Sequence, residues 1–325
     1  MLKAYFSKYT LDFTFEAITS RDRMWHKDTY IVVMWDDGKP GSERVAEVPL
    51  FRGLSADDVP DFEGVLTHVC QNPESWRECT YPAIRFGFES LFSEAVDNEW
   101  TRGERGIPIN GLVWMGDKDL MAKRIAEKID QGFSVIKLKI GGIAFEDELD
   151  LIRHIRSNFS PDDLEIRLDA NGSFSPSQWL ERLGRLEPYA IHSIEQPLHP
   201  RYADELARGI GRAPVAVALD EQLIGWRDRS EAADLLDYIR PHYIILKPAL
   251  IGGTEAADMY IGLAGERGIG WWATSALESN IGLYAIAAWL SKKDISMPQG
   301  LGTGQLYSNN IGPEMVIRQG RLFRK

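Results

Sequence analysis

Cysteine is scarce in this 325-residue sequence: only Cys70 and Cys79 occur, with no Cys-x-x-Cys pair and no paired histidines beside them. That excludes a disulfide-stapled scaffold and a cysteine zinc site, and leaves two ordinary thiols. No apolar run approaches the roughly 18 residues that a membrane helix requires. Positive charge is in deficit, with 37 Lys and Arg against 48 Asp and Glu for a net charge of −11. Such a chain is expected to bind neither nucleic acid nor a membrane surface. The start, MLKAYFSKYTLDF, has no basic segment followed by an apolar core and a small-residue cleavage site, so a soluble, cytoplasmic protein is expected. A Gly-x-Gly-x-x-Gly turn after the first strand of the βα series is missing too, which removes the main support for a dinucleotide-binding open sheet.

What is present is the 44% hydrophobic composition of a globular chain, long enough for one large α/β barrel or two domains. Residues 1–105 have a mixed texture that predicts an α+β domain. A strand over Thr29 to Trp35 ends in the turn signal Asp36-Asp37-Gly38-Lys39-Pro40-Gly41, and a helix is expected around Tyr81 to Val96. The intervening AITSRDRMWHK, Ala17 to Lys27, looks too charged for a core and is either a mobile loop or a solvated hairpin connection.

Residues 106–305 alternate short β-branched runs with amphipathic stretches, the pattern of parallel strands and covering helices. Strands are expected at Asn110 to Gly116, Val135 to Ile140, Glu165 to Ala170, Ile191 to Pro197, Val215 to Glu221, Tyr243 to Pro248 and Gly270 to Ser275, with a weaker one near Ile295. Leu120, Met121, Ile125 and Ile129 form one helical stripe, and Ser175-Pro176 reads as the capped start of another helix. Polar residues recur at the strand ends as Lys139, Asp169, Glu195, Asp220, Lys247 and Ser275, spaced by 30, 26, 25, 27 and 28 positions, close to one βα unit each. In a TIM-like barrel all of them converge on one mouth.

Charges inside apolar strands are costly unless they pair, bind metal or do chemistry. Lys137 and Lys139 alternate with Leu138, so a period of two puts both ammonium groups on one face. Asp169, Glu195 and Asp220 end three consecutive strands, an oxygen donor set suited to a hard divalent cation such as Mg²⁺. Salt bridges with Lys137, Lys139 and Lys247 are the alternative. Arg167 shares a strand face with Asp169 and, with Asn171, is a candidate for contacts around the site. Ser275 either helps to receive a substrate carboxylate, with the free amides of the helix that follows, or caps that helix. Gly302 and Gly304 permit close backbone approach or simply form a turn. None of the six histidines is a catalytic candidate, and Trp271 and Trp272 read as packing.

The ordered set KLK, RLDANG, SIEQP, ALDEQ and ILKP resembles the enolase superfamily, in particular its muconate-lactonizing-enzyme subgroup. That resemblance implies a (β/α)7β barrel with an N-terminal α+β capping domain, to which residues of about 306–325 return. It implies Mg²⁺, with Mn²⁺ as a substitute, held by Asp169, Glu195 and Asp220. It makes Lys139 the base, Lys247 the lysine on the opposite face, and Lys137 the neighbour whose charge favours a neutral Lys139. NGLVWMG, TSALESNIGL and GLGTGQLY are most similar to the branch that acts as a carbon–oxygen lyase. Its members dehydrate 2-succinyl-6-hydroxy-2,4-cyclohexadiene-1-carboxylate to 2-succinylbenzoate in menaquinone biosynthesis, through an Mg²⁺-stabilised enediolate. The partner is then a small-molecule carboxylate. The alternatives are an N-acylamino acid racemase, a dipeptide epimerase or a cycloisomerase with the same site, and a non-catalytic barrel that binds a carboxylate. Met297 to Gly304 lacks the Asp-x-Asp associated with dipeptide-specific members, and Thr19 to Asp28 falls where the family has a loop that closes over substrate.

Overall fold

The computed structural model describes residues 1–18 and 23–325. The chain opens with a long antiparallel hairpin, β1 (Leu2–Ile18) and β2 (Arg23–Asp36), whose register runs from Leu2 opposite Asp36 to Ile18 opposite Arg23 with an irregularity between Asp12 and Ala17. Strand β3 (Arg44–Val48) pairs with β2. Alternation turns Tyr30, Val32 and Met34 inward, against α1 (Phe62–Gln71) and α2 (Pro82–Phe92), which contribute Phe62, Leu66, Ile84 and Phe88 to the same core.

The hairpin corrects the expectation for Ala17 to Lys27. Most of that stretch is strand: Ala17 and Lys27 are buried, whereas Arg23, Trp25 and His26 are exposed. A two-faced ribbon therefore looks, in composition, like a solvated loop. Residues 19–22 of the expected closing loop lie outside the described residues.

Strands β4 (Ile107–Pro108) and β5 (Gly111–Val113) begin the second domain. A parallel sheet follows through β6 (Val135–Lys139), β7 (Glu165–Asp169), β8 (Ser193–Glu195), β9 (Val217–Leu219), β10 (Tyr243–Leu246) and β11 (Gly270–Ala273), each hydrogen-bonded to the next. The sheet curls until its two edges meet one segment, where isolated parallel bridges join Ile109 to Gln299 and Thr274 to Gly300. The eighth stave is thus Gln299–Gly300 and not the neighbourhood of Ile295. Its amides and carbonyls bind both edges: Asn110 N donates to Gln299 O, and Ser275 N donates to Gly300 O.

Helices α3 (Lys118–Asp130), α4 (Phe145–Asn158), α5 (Trp179–Leu186), α6 (Ala203–Gly209), α7 (Arg229–Ile239), α8 (Pro248–Ile251), α9 (Thr254–Arg267) and α10 (Asn280–Leu290) cover the outside. This is why the strands are buried on both faces, all five residues of β6 included. On α3, Met121 and Ile125 face the core while Leu120 points to solvent. Helix α5 begins after Gln178, later than Ser175-Pro176 predicts, because the Ser175 hydroxyl bonds to Ser177 and Gln178 in a turn that competes with a cap.

The C-terminal segment divides. Tyr307 bridges to Phe13 and Asn309 bonds to Thr10 and Asp12 of β1, so this part reaches the cap. Strands β12 (Met315–Arg318) and β13 (Arg321–Arg324) instead form a small sheet with β4. Among the described residues no helix is long and apolar enough to cross a membrane.

Candidate active site

Parallel register carries the strand-end charges to one rim. Lys139 pairs with Asp169, Asp169 with Glu195, and Glu195 with Ala218, two residues before Asp220. All are inside: Asp169, Glu195 and Asp220 are at most 2% exposed, and Lys137 and Lys139 at most 9%. They pair across the strands. The Lys137 Nζ donates to Glu195 Oε2 at 2.9 Å and lies 3.2 Å from Asp169 Oδ2. The Lys139 Nζ donates to Asp169 Oδ2 at 3.1 Å and to Asn171 Oδ1 at 2.7 Å, and Lys247 Nζ donates to Asp220 Oδ2 at 2.5 Å.

Burial pushes Asp169 towards its neutral form, but the ammonium groups of Lys139, Lys137 and Lys247 outweigh it and hold the carboxyl well below the usual carboxylate range. Glu195 goes the other way. Burial, only partly offset by Lys137 and reinforced by the charges of Asp169 and Asp220, pushes it up to about 7. For Lys137, burial is overcome by Glu195 and Asp169, which keep it protonated.

With every acid turned towards a lysine, no three His, Cys, Asp or Glu side chains among the described residues gather closely enough to hold a metal ion. The residues nonetheless fit a hard divalent cation. Three carboxylates end adjacent strands, all donors are oxygen, and Glu195 Oε1 is buried without a hydrogen-bond partner.

Above these acids lies a cavity of about 270 Å³ beneath the cap. Lys137, Lys139, Asp169, Asn171, Lys247, Ser275 and Gly302 line it, whereas Glu195 and Asp220 do not. Trp114, Leu112, Leu277 and the cap residues Met24, Phe51 and Leu54 supply apolar wall. Lys139 Nζ lies 5.8 Å from the Trp114 ring centroid.

Three expected residues are placed differently. Arg167 is on the predicted strand face but one layer deeper, fully buried, where it donates to Glu165 and to Pro298 O and stacks 4.4 Å from the Trp272 ring. It does not line the cavity. Ser275 does not cap the following helix: Ser279 does, by accepting from Ile281 N, and the Glu47 carboxylate of the cap takes the amides of Ser279 and Gly282. That helix start is therefore filled. Gly304 is absent from the cavity lining, and a Cβ there would meet Asn280 Oδ1 at 2.8 Å.

Residues 120–322 match the model of the enolase C-terminal domain-like family. The chain belongs to the enolase superfamily. An o-succinylbenzoate synthase from Desulfotalea psychrophila is 42% identical over 94% of this chain and 94% of its own. The crystal structure of MenC from the same organism aligns with a TM-score of 0.82 and 38% identity over 99% of both chains. An N-succinylamino acid racemase from Amycolatopsis sp is 28% identical over 60% of this chain and 51% of its own. The superfamily match covers most of the barrel and much of the C-terminal hairpin, and leaves the cap outside it.

Several residues that shape the superfamily barrel mouth here were not singled out from sequence. Gln196 is buried with φ of +37°, and its Oε1 accepts from the amides of Asp220 and Gln222 while Nε2 donates to Leu198 O. It fixes the β9 end against β8. Its signal was its place between Glu195 and Pro197. Asn110 and Thr274 also line the cavity, and Asn110 Oδ1 and Thr274 Oγ1 are buried without partners. Each lies beside the closing stave, whose position the sequence misassigned.

Proposed function

We propose that this chain dehydrates 2-succinyl-6-hydroxy-2,4-cyclohexadiene-1-carboxylate to 2-succinylbenzoate, the step that the motif resemblance assigns to menaquinone biosynthesis. The observation that carries this reading is the near full-length 42% identity to a protein named o-succinylbenzoate synthase. The cavity supports it chemically. A flat cyclic diene suits the Trp114, Leu112, Phe51 and Leu277 walls, and lysines approach the same space from β6 and from the end of β10.

Asp169, Glu195 and Asp220 are the residues that would hold Mg²⁺. When bound, such a cation lowers the cost of the negative charge that accumulates on a substrate carboxylate as its α-proton leaves. Lys139 takes that proton as the base, beside Lys137 on the same strand. Asn171, hydrogen-bonded to both Lys139 Nζ and Glu221 Oε1, sets the direction of the amine. The C–H electron pair becomes the new ring double bond, the C–O bond breaks, and the protonated Lys139 returns its proton to the departing hydroxyl as water. Lys247 faces the ring from the other side and supplies positive charge to the anionic species without exchanging a proton.

The same two lysines support a second reading, an N-acylamino acid racemase, since racemisation needs proton transfer on both faces. The identity to the N-succinylamino acid racemase favours it over the other isomerases. The deciding experiment is an ultraviolet assay with the cyclohexadiene and Mg²⁺, beside Lys139→Ala, Asp220→Asn and EDTA controls. Cation-dependent conversion lost in all three controls is expected. No conversion by folded, Mg²⁺-supplied protein, together with α-proton exchange of N-succinylamino acids in D₂O, would replace the lyase with the racemase.

A further inference from the structure

A buried polar cluster joins the cap hairpin to the cavity wall, and none of the chemical steps above uses it. Lys27 on β2 is 5% exposed, and its Nζ is buried with no hydrogen-bond partner. A cation held there is costly unless anions are close. Burial draws the Lys27 pKa down, and three carboxylates oppose it through space: Glu47 on β3, Glu278 beyond β11 and the adjacent Asp28. Glu47 is fully engaged, accepting from Thr29 Oγ1, Ser279 Oγ, Ser279 N and Gly282 N. Glu278 is only half engaged: Oε2 accepts from Ser275 Oγ at 2.5 Å and Ala276 N at 2.8 Å, while Oε1 is buried and unpartnered.

That half-engaged carboxylate shapes the cavity. The Ser275 hydroxyl gives its proton to Glu278, and its oxygen accepts from Thr303 Oγ1 at 2.7 Å and Leu277 N at 3.0 Å. The bend that results leaves Leu277 at φ of +64°, a left-handed conformation that is strained for a leucine and persists only where its surroundings enforce it. Ser275, Ala276, Leu277 and Thr303 all line the cavity, as does Phe51, whose ring centroid is 6.0 Å from Lys27 Nζ.

We propose that Lys27 is a positioning residue: its charge, acting on Glu278, holds the Ser275–Leu277 bend in the shape that walls the cavity, so that the cap hairpin sets how tightly a ligand is held. Without Lys27, Glu278 loses a cation that offsets its burial and the like charge of Glu47. Glu47 keeps its four donors, so the disturbance falls on Glu278 and on the strained bend. The inference rests on the cavity being the substrate site, and is independent of which reaction occurs there.

The test uses Lys27→Met, which keeps the aliphatic stem, and Lys27→Arg, which keeps the charge. Amide hydrogen–deuterium exchange over residues 274–279 should quicken about tenfold in Lys27→Met, with the other barrel strands unchanged. With the cyclohexadiene and Mg²⁺, KM should rise about tenfold with kcat within about threefold of the parent, and Lys27→Arg should recover most of both effects. Glu278→Gln should quicken exchange in the same segment, and serves if Lys27→Met does not fold. Unchanged exchange at 274–279, or acceleration spread evenly over the barrel, overturns the proposal. So does an unaltered KM in a variant whose bend has loosened. A parent protein that leaves the diene untouched removes the proposed reaction only, because the exchange measurement still decides the role of Lys27.

Discussion

Replacing Lys139 by Ala separates chemistry from folding at this site. The side chain makes two hydrogen bonds, to Asp169 and to Asn171 Oδ1; Asp169 keeps other partners, and Asn171 Oδ1 loses its donor at the cavity wall. Asp169 keeps the Lys137 ammonium 3.2 Å away and accepts from Asn171 N, and Asn171 keeps Glu221. The folding cost is therefore that of one charged hydrogen-bonded group, about 1–3 kcal/mol. The catalytic cost is larger. A single proton transfer by a positioned base is worth about 10²–10⁴-fold, and Lys139 is assigned both the removal and the return, so turnover should fall by at least about 10⁴-fold, more than 5 kcal/mol of barrier. The assay is the ultraviolet conversion, run with guanidinium denaturation and calorimetric titration of 2-succinylbenzoate on the same preparations. Product affinity should stay within about tenfold of the parent. Lys139→Arg should be as inactive as Lys139→Ala, because a guanidinium retains its proton at working pH. An alanine variant with more than about a tenth of the parent rate refutes the base assignment. A variant that loses product binding along with turnover shows instead that Lys139 holds the ligand.

Two further perturbations probe the frame around the site. Glu47→Ala removes the carboxylate that ties β3 to Thr29 and to the α10 start; it should cost about 3–5 kcal/mol, the range for breaking a buried charged network, read as a lowered denaturation midpoint, and a loss below about 1 kcal/mol would show that the donors are satisfied without it. Asp57 accepts from Ala83 N near the α2 start with its other oxygen buried and unpaired, and burial moves its pKa from 3.8 to about 6 despite that hydrogen bond. The folded chain therefore binds this proton more tightly than the unfolded chain, so stability is greatest below pH 4 with respect to this group and declines by up to about 3 kcal/mol as pH rises to 6. Asp57→Asn should flatten that decline and raise the denaturation midpoint at pH 7; an unaltered slope between pH 4 and 6 would mean that the group titrates normally.

The legible parts of this protein were those governed by short-range periodicity. Lys137, Lys139 and Asp169 could be placed on one interior face because side chains in a strand alternate with period two and the strand-end polar residues recur once per βα unit. The same rule put Arg167 on the face of Asp169 but gave no depth along the barrel, and depth decides surroundings: at the rim a charge borders the cavity, one layer down it meets Trp272 and Pro298 O. Local signals also misplaced the last stave, because Gln299–Gly300 makes only isolated bridges and has no β-branched run to announce it. The largest omission has a different origin. Lys27, Glu47 and Glu278 are ordinary charges in their own segments, and nothing within ten residues of any of them marks it as buried. Their burial exists only because β2, β3 and the segment after β11 converge, and with them the cap closes over the barrel. A charged residue in a surface-like segment therefore acquires its meaning from contacts more than two hundred positions away, as between Glu47 and Ser279. The strand-end charges can be read from sequence, whereas the cavity wall is set by the seam between the cap and the barrel.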